Sequence, residues 1–256
     1  MASFPDHFSA MASRYAAYRP RYPEPLVDLV ADRTFSGRAS GGLAVAWDVG
    51  CGNGQLSVAL TRRFSQVIAT DPAQAQLDHA QAAPGVEYRC APAEASGLDD
   101  ASVDLAVAAQ AAHWFDWPRF VAEAGRVVRP GGLVALVSYA NAQVDGAPGA
   151  VLAAYYQVIE PYWPNGRVHV NNGYRDLVLP WPVVDAPSIE MTATWTRDEL
   201  FGYLTTWSAT SRHTAVHGAA TLEAVQRDLA EVWPATDTGA DALTVRWPLT
   251  VKLARR

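Results

Sequence analysis

The segment Trp47-Asp48-Val49-Gly50-Cys51-Gly52-Asn53-Gly54-Gln55 carries the most chemical information in the chain. Glycine at every second position lets the backbone turn tightly and approach a bound molecule. A helix that follows such a turn presents free N–H groups there. The spacing is G-x-G-x-G, not the G-x-G-x-x-G of dinucleotide sites. Asp48 stands just ahead of the first glycine, where its carboxylate would repel a pyrophosphate and attract a cation. Asp71-Pro72 closes the next strand candidate. An acid there can accept hydrogen bonds from ribose hydroxyls, or cap the Ala-rich helix that follows.

The turn therefore favours a nucleoside ligand with positive charge and no phosphate. S-adenosylmethionine, with its sulfonium and ammonium, has that character, and S-adenosylhomocysteine would be its product. The alternative is an ordinary tight turn between a strand and a helix. Cys51 sits where a helix N-terminus can acidify a thiol. Small residues are also common where a loop meets a cofactor, so a covalent role is not expected of it.

His113 follows another strand candidate, between Gln110 and Trp114. It is the best-placed titratable group for base or orienting work, and a packed, hydrogen-bonded ring accounts for it equally well. Further along, Tyr162, Trp163, Arg167, His169, Tyr174, Trp181 and Trp207 offer aromatic walls and a cation for a small acceptor. Each of them has packing as its alternative role. No His, Cys or Asp spacing suggests a metal, and none is expected.

These residues need elements to hold them. Leu43–Val49, Val67–Thr70, Val86–Cys90, Val103–Ala108 and Leu133–Ser138 read as strands. Gln55–Phe64, Pro72–Ala83 and Trp117–Val128 read as helices between them, the last capped by Asp116. Arg129-Pro130-Gly131-Gly132 reads as a turn before the fifth strand. Strands separated by helices imply parallel crossovers and an α/β sheet.

After Asn141 the texture changes. Ala150–Glu160 reads as a helix, and Pro161–Pro187 has no period. Ile189 to Trp195 alternates as a strand. Thr196-Arg197-Asp198-Glu199 is a capping box that opens a helix, and Leu222 to Val232 marks another. Leu243 to Leu253 alternates strictly as a long, half-buried, antiparallel strand. Pro248 inside it implies a bulge or an unpaired position.

The expected fold is thus a Rossmann-like, mostly parallel sheet of seven strands with an antiparallel last strand and a cap insertion. Residues 1–35 are expected to form an N-terminal lid segment, 36–140 the cofactor-binding core, 141–187 the cap, and 188–256 the remainder of the sheet with additional helices. In open α/β sheets ligands bind at the carboxyl ends of the strands. That rule puts the glycine turn, Asp71 and His113 on one rim.

Composition narrows the classes. Half of the 256 residues are hydrophobic and 18% are charged, which excludes an intrinsically disordered chain. A formal charge of −6 disfavours a nucleic-acid partner, which would require phosphate neutralisation. No run approaches the roughly 20 apolar residues of a membrane span. The two cysteines, Cys51 and Cys90, form no framework and fit a reducing cytoplasm. The expectation is a cytoplasmic monomer or homodimer with no nucleic-acid or membrane partner.

In this order and spacing the segments resemble the class I S-adenosylmethionine-dependent methyltransferases, closest to the trans-aconitate methyltransferase-like branch. Trp47–Gly54 looks like that family's first motif, Ile68–Asp71 like its ribose-binding strand end, and Ala91-Pro92-Ala93-Glu94 like its adenine segment. Ser102–Leu105 and Gln110–Phe115 resemble its fourth strand and active-site loop, and Glu123–Gly132 the helix and turn before strand five.

The resemblance implies cofactor contacts at Tyr15, Arg19, Asp48, Gly50, Cys51, Gly52, Asn53, Gly54, Asp71, Pro72, Ala93, Glu94 and Gln110. Many relatives carry an acid where Pro92 stands, so Glu94 is the substitute here, unless it caps the next helix. Phe8, Tyr15, Tyr18, Arg19-Pro20 and Tyr22-Pro23 resemble an N-terminal lid. Arg19 would pair with the methionine carboxylate. Acceptor contacts are expected at Tyr18, Tyr22, His113, Trp114, Trp163, Arg167, His169, Tyr174 and Trp207.

The branch implies O-methylation of a small molecule, with a carboxylate as a candidate. N- or C-methylation of a secondary metabolite, a non-catalytic binding protein and a dinucleotide oxidoreductase are the alternatives. An N/D-P-P-Y/F motif of nucleic-acid methyltransferases is absent after strand four.

Overall fold

The computed structural model describes residues 18–36, 44–234 and 242–256. Phe8 and Tyr15 lie outside them, as does the first half of the expected lid. Helix α1 (Glu24–Phe35) carries prolines at its entry, where a missing N–H breaks no intrahelical bond. Its stripe Leu26, Val27, Val30 and Ala31 is buried. The second half of the expected lid is therefore a helix packed on the sheet.

Strands β1 (Val45–Val49), β2 (Gln66–Asp71), β3 (Val86–Cys90), β4 (Val103–Ala109) and β5 (Val128–Tyr139) run parallel in the order β3-β2-β1-β4-β5. β4 is almost wholly buried, and so are the ends of β1 and β2. Their near-continuous apolar runs are what a sheet covered on both faces requires. α1 and α2 (Gln55–Leu60) cover one face. α4 (Trp117–Val127) covers the other, with Phe120, Ala124 and Val127 packed on Trp47 and Val134. Chain order reverses between β1 and β4, so a crevice opens at their carboxyl ends.

The expected turn at Arg129–Gly132 lies inside β5. Val103 pairs Val128 while Leu105 pairs Leu133, so the extra residues bulge from the ladder. Gly131 takes φ 80°, and a Cβ on Gly132 would come within 2.8 Å of the Asp104 carbonyl. Arg129 pins the bulge through a 3.0 Å ion pair with buried Asp104.

Among the described residues the sheet has eight strands rather than seven. The added one is the two-residue β6 (Val183–Val184), contributed by the aperiodic segment. β8 (Ala242–Arg255) pairs β7 (Glu190–Thr196) as far as Pro248, then β5 from Leu249 onward. Pro248 thus stands where the strand changes partner, a place that tolerates the missing donor.

The helix expected over Pro72–Ala83 shrinks to α3 (Gln74–Leu77). Beyond it the Gln81 N–H donates to the Asn53 carbonyl, and the Gln81 carbonyl accepts from Tyr88 Oη. The glycine turn thereby pulls the chain out of helix.

The helices that follow β5 pack on one another. α5 (Gly146–Ile159) shares a third core with α7 (Arg197–Thr205), α8 (Ser208–His217) and α9 (Ala220–Val232), built around Trp207 and Trp247. Thr196 and Glu199 complete the expected capping box at α7. The short α6 (Arg167–Asn171) packs beside the turn Ala112–Trp114.

Candidate functional site

The glycine turn leaves β1 with Gly50 and Cys51 both donating to the Thr70 carbonyl of β2, at 2.8 and 3.0 Å. Gly50, Gly52 and Gly54 all adopt positive φ. Their needs differ. A Cβ on Gly50 would strike Ala111 at 2.6 Å, and one on Gly54 would strike the Tyr88 hydroxyl at 2.0 Å. Gly52 has nothing nearer than the Gln76 amide oxygen at 3.9 Å. Two glycines are demanded by the protein's own packing; the space over the third is left open.

Asp48 is 1% exposed and accepts a 2.6 Å hydrogen bond from Ser57 Oγ at the start of α2. Burial raises its pKa from the ordinary carboxylate value to about 7, and the nearby Asp71 adds to the rise. Asp71 accepts from the N–H of Gly52 and of Ala73, each at 2.9 Å. The N-cap of α3 is Ala73, with no side-chain cap, so Asp71 braces the glycine turn and the residue ahead of that helix rather than capping it. Burial is also what raises its pKa. The Cys51 thiol is pushed up by burial and then by the two carboxylates, so the helix N-terminus does not acidify it.

Gln110 ends β4 at φ 54°, a left-handed conformation rare for a side chain of this kind. Its N–H donates to Val137, and its Nε2 donates to the Tyr139 carbonyl at 2.8 Å. That leaves its buried Oε1 with no partner among the described residues. Strain and an unmet acceptor at a strand end are marks of a site. Gln110 and Arg19 together line two adjoining hollows. Arg19 donates from Nη2 to the Thr206 carbonyl at 3.1 Å and lies 5.4 Å over the Tyr203 ring.

The first hollow, about 480 Å³ including its open side, is lined by Asp48, the turn Gly50 to Asn53, Tyr22 and Tyr139 among others. The second, about 520 Å³, is lined by His113, Trp114, Trp163, Arg167 and Ser208 among others. Arg167 stacks on Trp163 at 4.3 Å and donates to Asn141 and, at 3.0 Å, to Asn171. Burial lowers its pKa. His113 accepts or donates at 2.9 Å between Nδ1 and the Tyr174 hydroxyl. Burial, then Arg167 and His169, lower its pKa to about 3.

The structure redistributes several expected residues. Tyr22 lines the first hollow, not the second. Tyr18 packs against α7 at Gly202, where a Cβ would come within 2.4 Å of its ring. Trp207 stacks on Tyr156 at 4.8 Å in the cap core. His169 turns to Asp176 at 2.7 Å, and fully buried Tyr174 lies behind His113. Trp181 packs on Gly125, and Tyr162 meets His213 and His217.

Gly54, Asp71, Pro72, Ala93 and Glu94 line neither hollow. Ala93 belongs to the core, and Glu94 accepts from the Asp116 N–H at 2.7 Å, which makes it a support for α4. Tyr139 and Asn141 were missed by the sequence reading. They follow the same strand-end rule that singled out Gln110, applied to β5.

Among the described residues no cluster of three or more His, Cys, Asp or Glu could hold a metal ion. No helix among them is long and apolar enough to cross a membrane.

A sequence family described as a methyltransferase domain matches residues 47–136. A solved chain from Anaeromyxobacter dehalogenans, provisionally assigned as a type II methyltransferase, is 41% identical. It superposes with TM-score 0.82 over 93% of this chain and 98% of that one. A Dictyostelium discoideum protein provisionally named a methyltransferase is 28% identical over 257 residues, 99% of this chain and 96% of that one. A Mycobacterium tuberculosis protein named an uncharacterized methyltransferase is 36% identical over 131 residues, 51% of each.

Proposed function

Because this chain belongs to the class I S-adenosylmethionine-dependent methyltransferases, we propose that it methylates an oxygen of a small anionic acceptor, a carboxylate, bound in the second hollow. The observation that carries this reading is the pair Arg19 and Arg167, which line that hollow with no carboxylate among its described lining residues. Two partly desolvated guanidinium groups facing one space favour an anion there.

The first hollow suits the cofactor. Gly52 leaves room over the turn, Asp48 offers negative charge beneath a cation, and Gln110 Oε1 lacks a partner at the junction. Asn53, Cys51 and Gly50 line the same wall. Arg19, at the seam, is placed to meet the carboxylate of the cofactor, the acceptor, or both. When bound, the cofactor supplies a methyl group activated on a sulfonium.

The remaining work falls to the chain. Arg167 and Trp163 hold the acceptor against the seam, which is chiefly alignment. Trp114, Trp163 and Pro164 keep water from its apolar side. A carboxylate is ionised near neutral pH, so no base has to take a proton from it.

The test is incubation with methyl-labelled S-adenosylmethionine and separate panels of small carboxylic acids, phenols, alcohols and amines. Label recovered as a base-labile methyl ester supports the reading. Label found only on amines, or only on alcohols, contradicts it.

A further inference from the structure

Tyr174 is an oddity in the described chain: an aromatic residue, wholly buried, with φ 56°. Bulky side chains rarely adopt that conformation, and it persists only where the surroundings fix it. Here they do. Its N–H donates to His169 at 2.7 Å. Its carbonyl accepts from Leu177 N–H at 3.2 Å and from the ammonium of Lys252, the only lysine in the sequence, at 3.1 Å. Lys252 also donates to the Leu177 carbonyl at 2.8 Å. This bracing aims the phenol at one target, the Nδ1 of His113, 2.9 Å away.

A buried hydroxyl has a proton to place and seeks an acceptor for it. The one hydrogen bond of the phenol oxygen among the described residues is with the His113 Nδ1. If Nδ1 carried a proton, the hydroxyl proton would have no acceptor among the described residues. We infer that Tyr174 is a positioning residue: its O–H donates to Nδ1, the imidazole proton is held on Nε2, and His113 offers the second hollow a hydrogen-bond donor rather than a base.

Burial keeps both partners neutral, raising the phenol and lowering the imidazole to about 3, with Arg167 and His169 adding to the second shift. The pairing therefore stays in one protonation state across the neutral range. Nε2–H and the Arg167 guanidinium then address the same space as two donors. An acceptor must arrive already deprotonated, and one that needs a proton removed, such as an aliphatic alcohol, is refused. This inference rests on the reading that the second hollow takes the acceptor, and it narrows that reading to groups ionised before they bind.

The experiment is a long-range 1H–15N spectrum of the histidine rings in the full chain at pH 7. The His113 signals are identified by their loss in His113→Gln. The expected pattern is neutral imidazole protonated on Nε2. In Tyr174→Phe, protonation on Nδ1 should appear, and kcat on a methylated carboxylate should fall about ten-fold, the worth of one oriented hydrogen bond. Affinity for S-adenosylhomocysteine should stay as in the parent.

Nδ1 protonation or imidazolium in the parent chain overturns the proposal, whether or not the variant folds. So does an unchanged ring spectrum in Tyr174→Phe. If the Nε2–H form is found but no carboxylate is methylated, the acceptor reading fails and the tautomer assignment stands.

Discussion

Ser57 Oγ donates to Asp48 Oδ2 across 2.6 Å, directly beneath the glycine turn. That single bond does not offset the burial of the carboxyl, which titrates at about 7. The folded chain therefore holds a proton there that the unfolded chain, with an ordinary carboxyl, has released. Stability from this group is fully present below about pH 4 and is lost as pH rises through 7.

Asp48→Asn removes the titration and keeps an acceptor for Ser57. Its melting temperature should exceed that of the parent at pH 8, and the gap should close by pH 4. A shift from 3.8 to about 7 corresponds to at most roughly 4 kcal/mol. Melting curves that differ equally at both pH values would show that Asp48 does not titrate in this window.

Cofactor affinity should respond in the opposite sense. A cation beside Asp48 favours its ionised form, so binding below pH 7 must first release the proton. Affinity for S-adenosylmethionine should rise between pH 5 and 8 in the parent and stay nearly flat in Asp48→Asn, which binds more weakly at pH 8. Titration calorimetry at three pH values reads this. A parent that binds equally well throughout would remove Asp48 from the cation's surroundings.

Asp71 carries two loads, since Gly52 and Ala73 both donate to it. Asp71→Ala should weaken S-adenosylhomocysteine binding by about 1.5–3 kcal/mol, the range for hydrogen bonds to a charged group. Unchanged affinity by calorimetry would confine Asp71 to bracing the glycine turn.

Arg167→Gln should raise KM for a carboxylate acceptor by about ten- to a hundred-fold, in line with a charge-assisted contact of roughly 1.5–3 kcal/mol. Affinity for S-adenosylhomocysteine should change little, because Arg167 lines only the second hollow. Steady-state kinetics that show kcat lowered at constant KM would place Arg167 outside acceptor binding.

The parallel sheet was legible because its strands are buried on both faces and read as apolar runs. The glycine turn was legible because its residue types encode backbone shape. Thr196 to Glu199 was equally plain, since a capping box is satisfied within four residues. What failed depended on distant partners. Arg129-Pro130-Gly131-Gly132 has the chemistry of a turn, yet pairing with β4 absorbs it as a bulge.

Aromatic residues announce burial but not direction. Tyr22 faces the first hollow, Trp207 fills the cap core, and Tyr174 braces His113. Nothing local to their sequence separates those fates. Glu94 likewise reads as a ligand contact until Asp116, far along the chain, claims its carboxylate.

The most direct test of the account uses Gly52, the glycine whose side-chain position the protein itself leaves open. Calorimetric titration of S-adenosylhomocysteine into Gly52→Ala and the parent, at pH 8, isolates that space. The left-handed backbone there costs an alanine about 1–2 kcal/mol of stability. The account predicts a variant that still melts cooperatively, a few degrees lower, and binds at least ten-fold more weakly. Equal affinity in the two proteins would mean that the cofactor does not lie over the turn.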